Sequence, residues 1–279
     1  MSDDSKKQAM LEINRAQADY YNQTDGGLTS EANGFATNLW RRMRQRALGT
    51  VSEAARDGVY DIHRRWMGDL SGKKVLELGV GHGSPLSRYL ATRSAAYHAL
   101  DLSQREIDQL RASLPDTPSI HYHVGDFLSD DFTEGGFDVI YAHAVIHHFG
   151  HTDVLFGQLK AKLAPGGEVI TYDPLQIWLP IRLLRAVYRP FQTDADWEFP
   201  FTRQTCREIA ASFKVKDAFG VFNRAKWALL LGIINPALGR RKGDDWFRAD
   251  LASRDSGRDM MQSLHISYRL ARPGDGSRP

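Results

Sequence analysis

Alternating strand-like and helix-like stretches through the middle of the chain predict an α/β fold with a doubly wound, parallel sheet. Three observations carry this expectation. Short apolar runs at 75–78, 96–100, 120–124, 137–142 and 168–172 recur with helical or turn segments between them. The first run passes straight into Gly79-Val80-Gly81-His82-Gly83, a glycine-rich strand-to-helix turn of the kind that cradles a ligand at the carboxyl edge of such a sheet. Acids then stand at the ends of the first three runs: Glu77, Asp101 and Asp126.

The elements follow in order. Residues 5–21 read as a helix ending in Tyr20-Tyr21-Asn22, and Thr24-Asp25-Gly26-Gly27 is a breaker. A second helix, 35–47, is rich in arginine (Arg41, Arg42, Arg44, Arg46), and a third spans 51–67. All three precede the first strand, so residues 1–70 are expected to form an N-terminal helical cap, with Tyr20, Tyr21 and Trp40 as candidate gates. After the glycine turn, Ser84 as N-cap and Pro85 in the first turn open a helix running through Leu90. Ser103-Gln104-Arg105-Glu106 reads as a capping box. Thr152-Asp153 caps a helix ending near Leu163, and Pro165-Gly166-Gly167 forces a turn. A helix at 203–212, a sixth strand at 215–219 and a last strand at 264–270 complete the 71–279 domain. Two inserts, 174–201 and 221–261, interrupt it. The tail, 273–279, is expected to be disordered.

Composition narrows the classes. At 279 residues the chain fits one α/β domain with a small cap. Its net charge of +2 is too small to argue for a nucleic-acid partner. The single cysteine, Cys206, excludes an internal disulfide and any multi-cysteine metal or iron–sulfur site. With no apolar signal core at the N-terminus and no run long enough for a membrane span, a cytoplasmic protein is expected.

The chemistry gathers at the strand ends. Gly79, Gly81 and Gly83 let backbone approach a ligand and adopt positive φ. A dinucleotide fingerprint would place its third glycine at position 84, which is serine, and this argues against a nicotinamide-dependent oxidoreductase. Asp101, about twenty residues on, can accept both hydrogen bonds of a ribose diol, and Leu102 can pack on an adenine face. Asp126 can accept from an adenine amino group with Phe127 stacked nearby, and Glu77 lies at the floor of the turn. Tyr21 and His143 are assigned to the same pocket. Four histidines cluster after the fourth run: His143, His147, His148 and His151. His147 and His148 are the candidate general bases, since neutral imidazole can take a hydroxyl proton near pH 7. A metal is not expected, because the cluster lacks clean ligand spacing.

Five pieces, VLELGVGHG (75–83), ALDLS (99–103), VGDF (124–127), FDVIYAHAVIHHF (137–149) and LAPGGEVI (163–170), together resemble the class I S-adenosylmethionine-dependent methyltransferases of the small-molecule group. The resemblance covers the middle third of the chain. It implies a Rossmann-like, seven-stranded sheet with an antiparallel last strand, S-adenosylmethionine as donor and S-adenosylhomocysteine as product. It does not reach the cap or the inserts, where substrate choice resides in that family. A module that binds the donor without transferring methyl is the alternative.

In the first insert, Arg182, Arg185 and Arg189 share one helical face and Ile181, Leu184, Val187 and Tyr188 favour another. The second carries Trp227-Ala228-Leu229-Leu230-Leu231-Gly232-Ile233-Ile234 between basic flanks. Such stretches suit a lid over an apolar pocket, a helix lying on a membrane surface, or a homodimer contact. The acceptor is expected to be a hydrophobic or lipid-like small molecule, methylated on oxygen before nitrogen or carbon.

Overall fold

The computed structural model describes residues 2–23, 38, 42, 43, 45–47, 49–189, 195–253 and 260–274. The breaker at 24–27, Trp40, Arg41 and Arg44 of the expected second helix, and the tail beyond 274 lie outside the described residues. Seven strands form one sheet: β1 (Lys74–Leu78), β2 (Ala96–Asp101), β3 (Ile120–Val124), β4 (Phe137–His143), β5 (Leu163–Pro174), β6 (Lys214–Val221) and β7 (His265–Ala271). Their order is β3-β2-β1-β4-β5-β7-β6, with β7 antiparallel to both neighbours. The chain winds one way from β1 to β2 and β3 and the other way from β4 onward. A crevice therefore opens at the carboxyl ends of β1 and β4, where ligands bind in open sheets of this kind.

Period-two burial explains why both faces are covered. Val75, Tyr97, Ala99 and Val139 point into one apolar cluster, and Leu76, Leu78, Leu100 and Ile140 into the other. The first cluster is closed by α2 (Glu53–Met67), α3 (Ser87–Arg93) and α4 (Gln104–Ser113), the second by α5 (Thr152–Lys162) and α7 (Arg203–Ser212). The third helix expected from the sequence is thus a structural layer against the sheet, with Trp66 Nε1 donating to Asp217 on β6. Among the described residues of that group, those of α1 (Asp3–Gln23) line the crevice.

Several boundaries moved for local reasons. Helix α3 begins at Ser87, not Pro85, because Ser84 is spent in the turn: its N–H donates to Ser87 Oγ and its own Oγ accepts from Leu86 N–H. Thr152 starts α5 without capping it; its hydroxyl donates to Glu208. Pairing of β5 begins at Leu163, and the expected turn at 165–167 survives as a register shift opposite Phe137 and Val139. A Cβ at Gly167 would stand 2.6 Å from the Phe137 carbonyl oxygen, which requires glycine there.

The second insert folds as α8 (Ala225–Ile234) and α9 (Pro236–Ser253), packed on the α2 side. Glycines permit this: a Cβ at Gly243 would lie 1.8 Å from the Thr50 carbonyl oxygen, and one at Gly239 2.6 Å from Gly232 Cα. The first insert contains α6 (Leu179–Tyr188). None of the described residues of α6, α8 or α9 lines the crevice. Farther along the first insert, Phe199 N–H donates to the His147 carbonyl at 2.6 Å. Among the described residues no helix is long and apolar enough to cross a membrane.

Candidate active site

The crevice is a cavity of about 270 Å³. Its floor is the glycine turn. Gly79 and Gly81 have φ of 61° and 52°, in the left-handed region. A Cβ at Gly79 would meet Val145 at 2.6 Å, so glycine is required for both conformation and space. The turn is tied to the neighbouring strand through Gly79 N–H to the Leu100 carbonyl, 2.8 Å.

Asp101 holds the turn as well as facing the cavity. One carboxylate oxygen accepts from Gly81 N–H at 2.8 Å, the other from Ser103 N–H at 2.9 Å. Each oxygen keeps a lone pair for a ribose hydroxyl. Burial raises its pKa above the usual carboxylate value, against the pull of the backbone hydrogen bonds. Asp126 accepts from Leu128 N–H at 2.8 Å and from the side-chain amide of Asn14 at 2.9 Å. Burial raises its pKa too. Leu102 and Phe127 line the wall between these two acids, and Tyr21 closes it from α1.

Four expected site residues stand elsewhere. Glu77 lies behind the turn, 1 % exposed, accepting from Ser87 Oγ at 2.9 Å and from the Tyr97 hydroxyl at 2.5 Å. It braces the turn from below and does not line the cavity. Gly83 supports the same corner, packed near Leu110 and Ser87. His143 turns to the opposite side of the sheet, meeting the Tyr60 hydroxyl at 3.2 Å and stacking on Tyr172. Burial pushes its pKa down to about 4. His147 is buried against Asp173, with Nδ1 2.9 Å from Asp173 Oδ1, and it too is absent from the lining. Burial pushes the Asp173 carboxyl up to about 7, and its second oxygen has no hydrogen-bond partner among the described residues.

Of the four clustered histidines, His148 is the one that lines the cavity, where His82 of the glycine turn also stands. Its Nδ1 lies 3.1 Å from the Trp197 carbonyl, which can only accept. Nδ1 therefore carries the proton, leaving Nε2 as the basic nitrogen. The two histidines diverge because they share one turn of 3-10 helix, Ile146–His148, entered through Ala144. Ala144 has φ 60°, unusual for a residue with a Cβ, and itself lines the cavity.

Other lining residues were not expected. Asn14 and Gln17 on α1 are 2 % and 3 % exposed and bonded to each other at 3.3 Å. With Tyr21 they recur at spacings of three and four, one helical face. That polar stripe is the signal available in the sequence. Glu106 also turns into the cavity, 3.3 Å from His82 Nδ1, instead of completing a capping box.

The arrangement suits an adenosyl ligand. Two carboxylates at adjacent strand tips can receive a diol and an amino group, and the left-handed glycines leave room for the chain between them. Such a fit matches the fold, which is that of the class I S-adenosylmethionine-dependent methyltransferases. Residues 75–167 match the family model described as a methyltransferase domain. Magnesium protoporphyrin IX methyltransferase from Synechocystis PCC 6803, solved with bound S-adenosylhomocysteine, superposes with a TM-score of 0.55 at 14 % identity, covering 92 % of this chain and 98 % of that one. Two Mycobacterium ulcerans proteins are similar in sequence. Phthiotriol/phenolphthiotriol dimycocerosates methyltransferase 1 is 28 % identical over 58 % of this chain and 55 % of its own length. The probable methyltransferase 2 of the same description is 36 % identical over 51 % and 50 %. The chain thus spans about half the length of these relatives. The cavity lies at the carboxyl edge of this fold's sheet, with Asp101 and Asp126 in its lining.

Proposed function

We propose that this chain transfers a methyl group from S-adenosylmethionine to a hydroxyl oxygen of an apolar, lipid-like acceptor. The observation that carries the reading is His148, a cavity-lining imidazole with its proton fixed on Nδ1 by the Trp197 carbonyl. The bound sulfonium supplies an activated methyl group. What remains for the chain is alignment and removal of the acceptor proton. Alignment can lower the barrier by about 7–11 kcal/mol. As the acceptor oxygen bonds to the methyl carbon and the carbon–sulfur bond breaks, the hydroxyl proton passes to His148 Nε2. His147, held by Asp173, positions the turn that carries His148. An apolar acceptor is supported by Val145 and Phe149 in the lining and by the Tyr20–Trp197 pair, 5.3 Å apart, beside it. The dimycocerosate methyltransferases named above support the same acceptor class.

The test is turnover on a panel of hydroxylated lipids, long-chain phenols and fatty acids, with methylated product read by mass spectrometry. His148→Ala should lower kcat by about 10²-fold or more on a hydroxyl acceptor. His147→Ala should lose activity together with stability. Binding of S-adenosylhomocysteine with no product from any acceptor would instead support a donor-binding module. Full activity in His148→Ala would favour nitrogen or carbon as the acceptor atom.

A further inference from the structure

Helix α6 carries two chemically different stripes. Leu179, Leu183 and Val187, each four residues apart, are 61 %, 60 % and 71 % exposed. Arg182, Arg185 and Arg189 lie on the adjacent stripe and line a second cavity of about 650 Å³, joined there by Arg203 and Arg207 of α7. Among the described lining residues Glu198 is the single acid. Nε of Arg185 is buried without a hydrogen-bond partner among the described residues.

Helix α8 supplies a second apolar stripe in Trp227, Leu230 and Ile234, the last 84 % exposed. The two stripes meet where Trp178, just before α6, packs edge to face on Trp227 at 5.5 Å. The Lys226 ammonium lies 4.6 Å over the Trp178 ring.

Leaving six large apolar side chains in water is costly, and exposed apolar patches of this kind mark contact surfaces. The arginines decide what kind of surface makes the contact. Guanidinium groups match phosphate oxygens in shape and charge. A bilayer surface offers apolar depth for the stripes, a boundary layer suited to tryptophan, and phosphates at the level of the basic cavity. Neutral headgroups would leave the net positive cavity unmatched. We propose that α6, α8 and the arginine cavity form a docking surface for a membrane rich in anionic phospholipid, with one lipid phosphate seated among the α6 and α7 arginines. The proposal does not depend on the methyl-transfer reading.

Flotation of the full chain with vesicles tests it, comparing phosphatidylcholine alone with phosphatidylcholine plus phosphatidylglycerol. The chain should float with the anionic vesicles only, less so as salt is raised. Vesicles with brominated acyl chains should quench its tryptophan fluorescence. Leu183→Asp with Val187→Asp should weaken vesicle binding by about tenfold or more. Arg182→Gln with Arg203→Gln should abolish the preference for anionic vesicles. All four side chains are exposed, and unchanged melting curves would verify the fold. Should a variant fail to fold, brominated-lipid quenching of the unaltered chain still decides. No flotation or quenching with anionic vesicles overturns the proposal, as does equal binding by both double variants. Calorimetric binding of inorganic phosphate without vesicle binding would assign the cavity to a soluble phosphate and also overturn it. A concentration-dependent dimer lost in the Leu183→Asp, Val187→Asp variant, again without vesicle binding, would assign the stripes to a second copy with the same consequence.

Discussion

Removing the Asp101 carboxylate should uncouple two things that it does at once. In Asp101→Ala the Gly81 and Ser103 amides lose acceptors at 2.8 and 2.9 Å. Hydrogen bonds to a charged group are worth about 1.5–3 kcal/mol each. Gly81 borders the cavity, so water replaces part of the loss, and a total of about 2–4 kcal/mol is expected. At about 2–4 °C per kcal/mol for a chain of this size, the ligand-free variant should melt roughly 4–16 °C lower. A ribose diol would add two more bonds to the same carboxylate, so affinity for S-adenosylhomocysteine should fall by about 10²–10⁴-fold. Asp101→Asn keeps one acceptor oxygen and the side-chain volume, and should fall between wild type and alanine in both measurements. The assay is calorimetric titration with S-adenosylhomocysteine alongside a thermal melt. Affinity within about threefold of wild type in Asp101→Ala would refute the diol assignment. An unchanged melt would refute the claim that the carboxylate holds the turn.

Three further outcomes follow from buried polar groups. Glu77→Ala should destabilise by about 3 kcal/mol or more, because the Tyr97 and Ser87 hydroxyls are left buried without their acceptor, whereas Glu77→Gln should cost about 1 kcal/mol. Chemical denaturation measures both, and donor affinity in Glu77→Gln should stay near wild type because the side chain is outside the cavity. Asn14→Ala breaks the link from α1 to Asp126 and should weaken donor binding by about tenfold, read by the same titration. His63 is fully buried, with Nε2 2.7 Å from Ser267 Oγ and Nδ1 3.2 Å from the Tyr141 hydroxyl, and burial pushes its pKa down to about 3. Its neutral form is favoured by the fold, so the stability it contributes is present above pH 6.5 and lost as pH falls toward about 3. Compared with wild type, His63→Gln should show a stability–pH slope shallower by up to about 1.4 kcal/mol per pH unit between these limits, measured by denaturant titration at stepped pH. An identical slope in the two proteins would contradict the buried neutral imidazole.

The sheet and its glycine turn were legible because they are local: alternating burial, a strand of five residues, and glycines at positions needing positive φ. Asp101 and Asp126 were legible because strand ends in a parallel sheet share one edge. That Glu106, read as part of a capping box, faces the cavity while Glu77 stands behind the turn was not legible. Glu77 is claimed by a tyrosine on β2 and a serine on α3, partners set by strand register and helix docking. Glu106 is freed for the cavity because Ser103 caps α4 without its help. His147 and His148 could not be separated in the sequence either, since their divergence depends on the left-handed Ala144. The placement of α8 and α9 rests on glycine contacts with Thr50, nearly two hundred residues away. Asn14, Gln17 and Tyr21 were readable as a polar stripe, but the stripe gains meaning only once Asp126 is beneath it.

Helix α1 roofs the cleft and is fastened by Asn14 to Asp126 and, at its other end, by ion pairs of Lys6 with Asp153 and Lys7 with Asp130. A nucleoside bound beneath that helix would be retained by the same fastening. Ionic strength weakens the two outer clasps far more than the sheltered amide link. Moderate salt should therefore hasten release of S-adenosylhomocysteine from beneath α1 while barely altering how the adenosine is gripped, so that charges outside the cavity would tune how long a bound nucleoside stays.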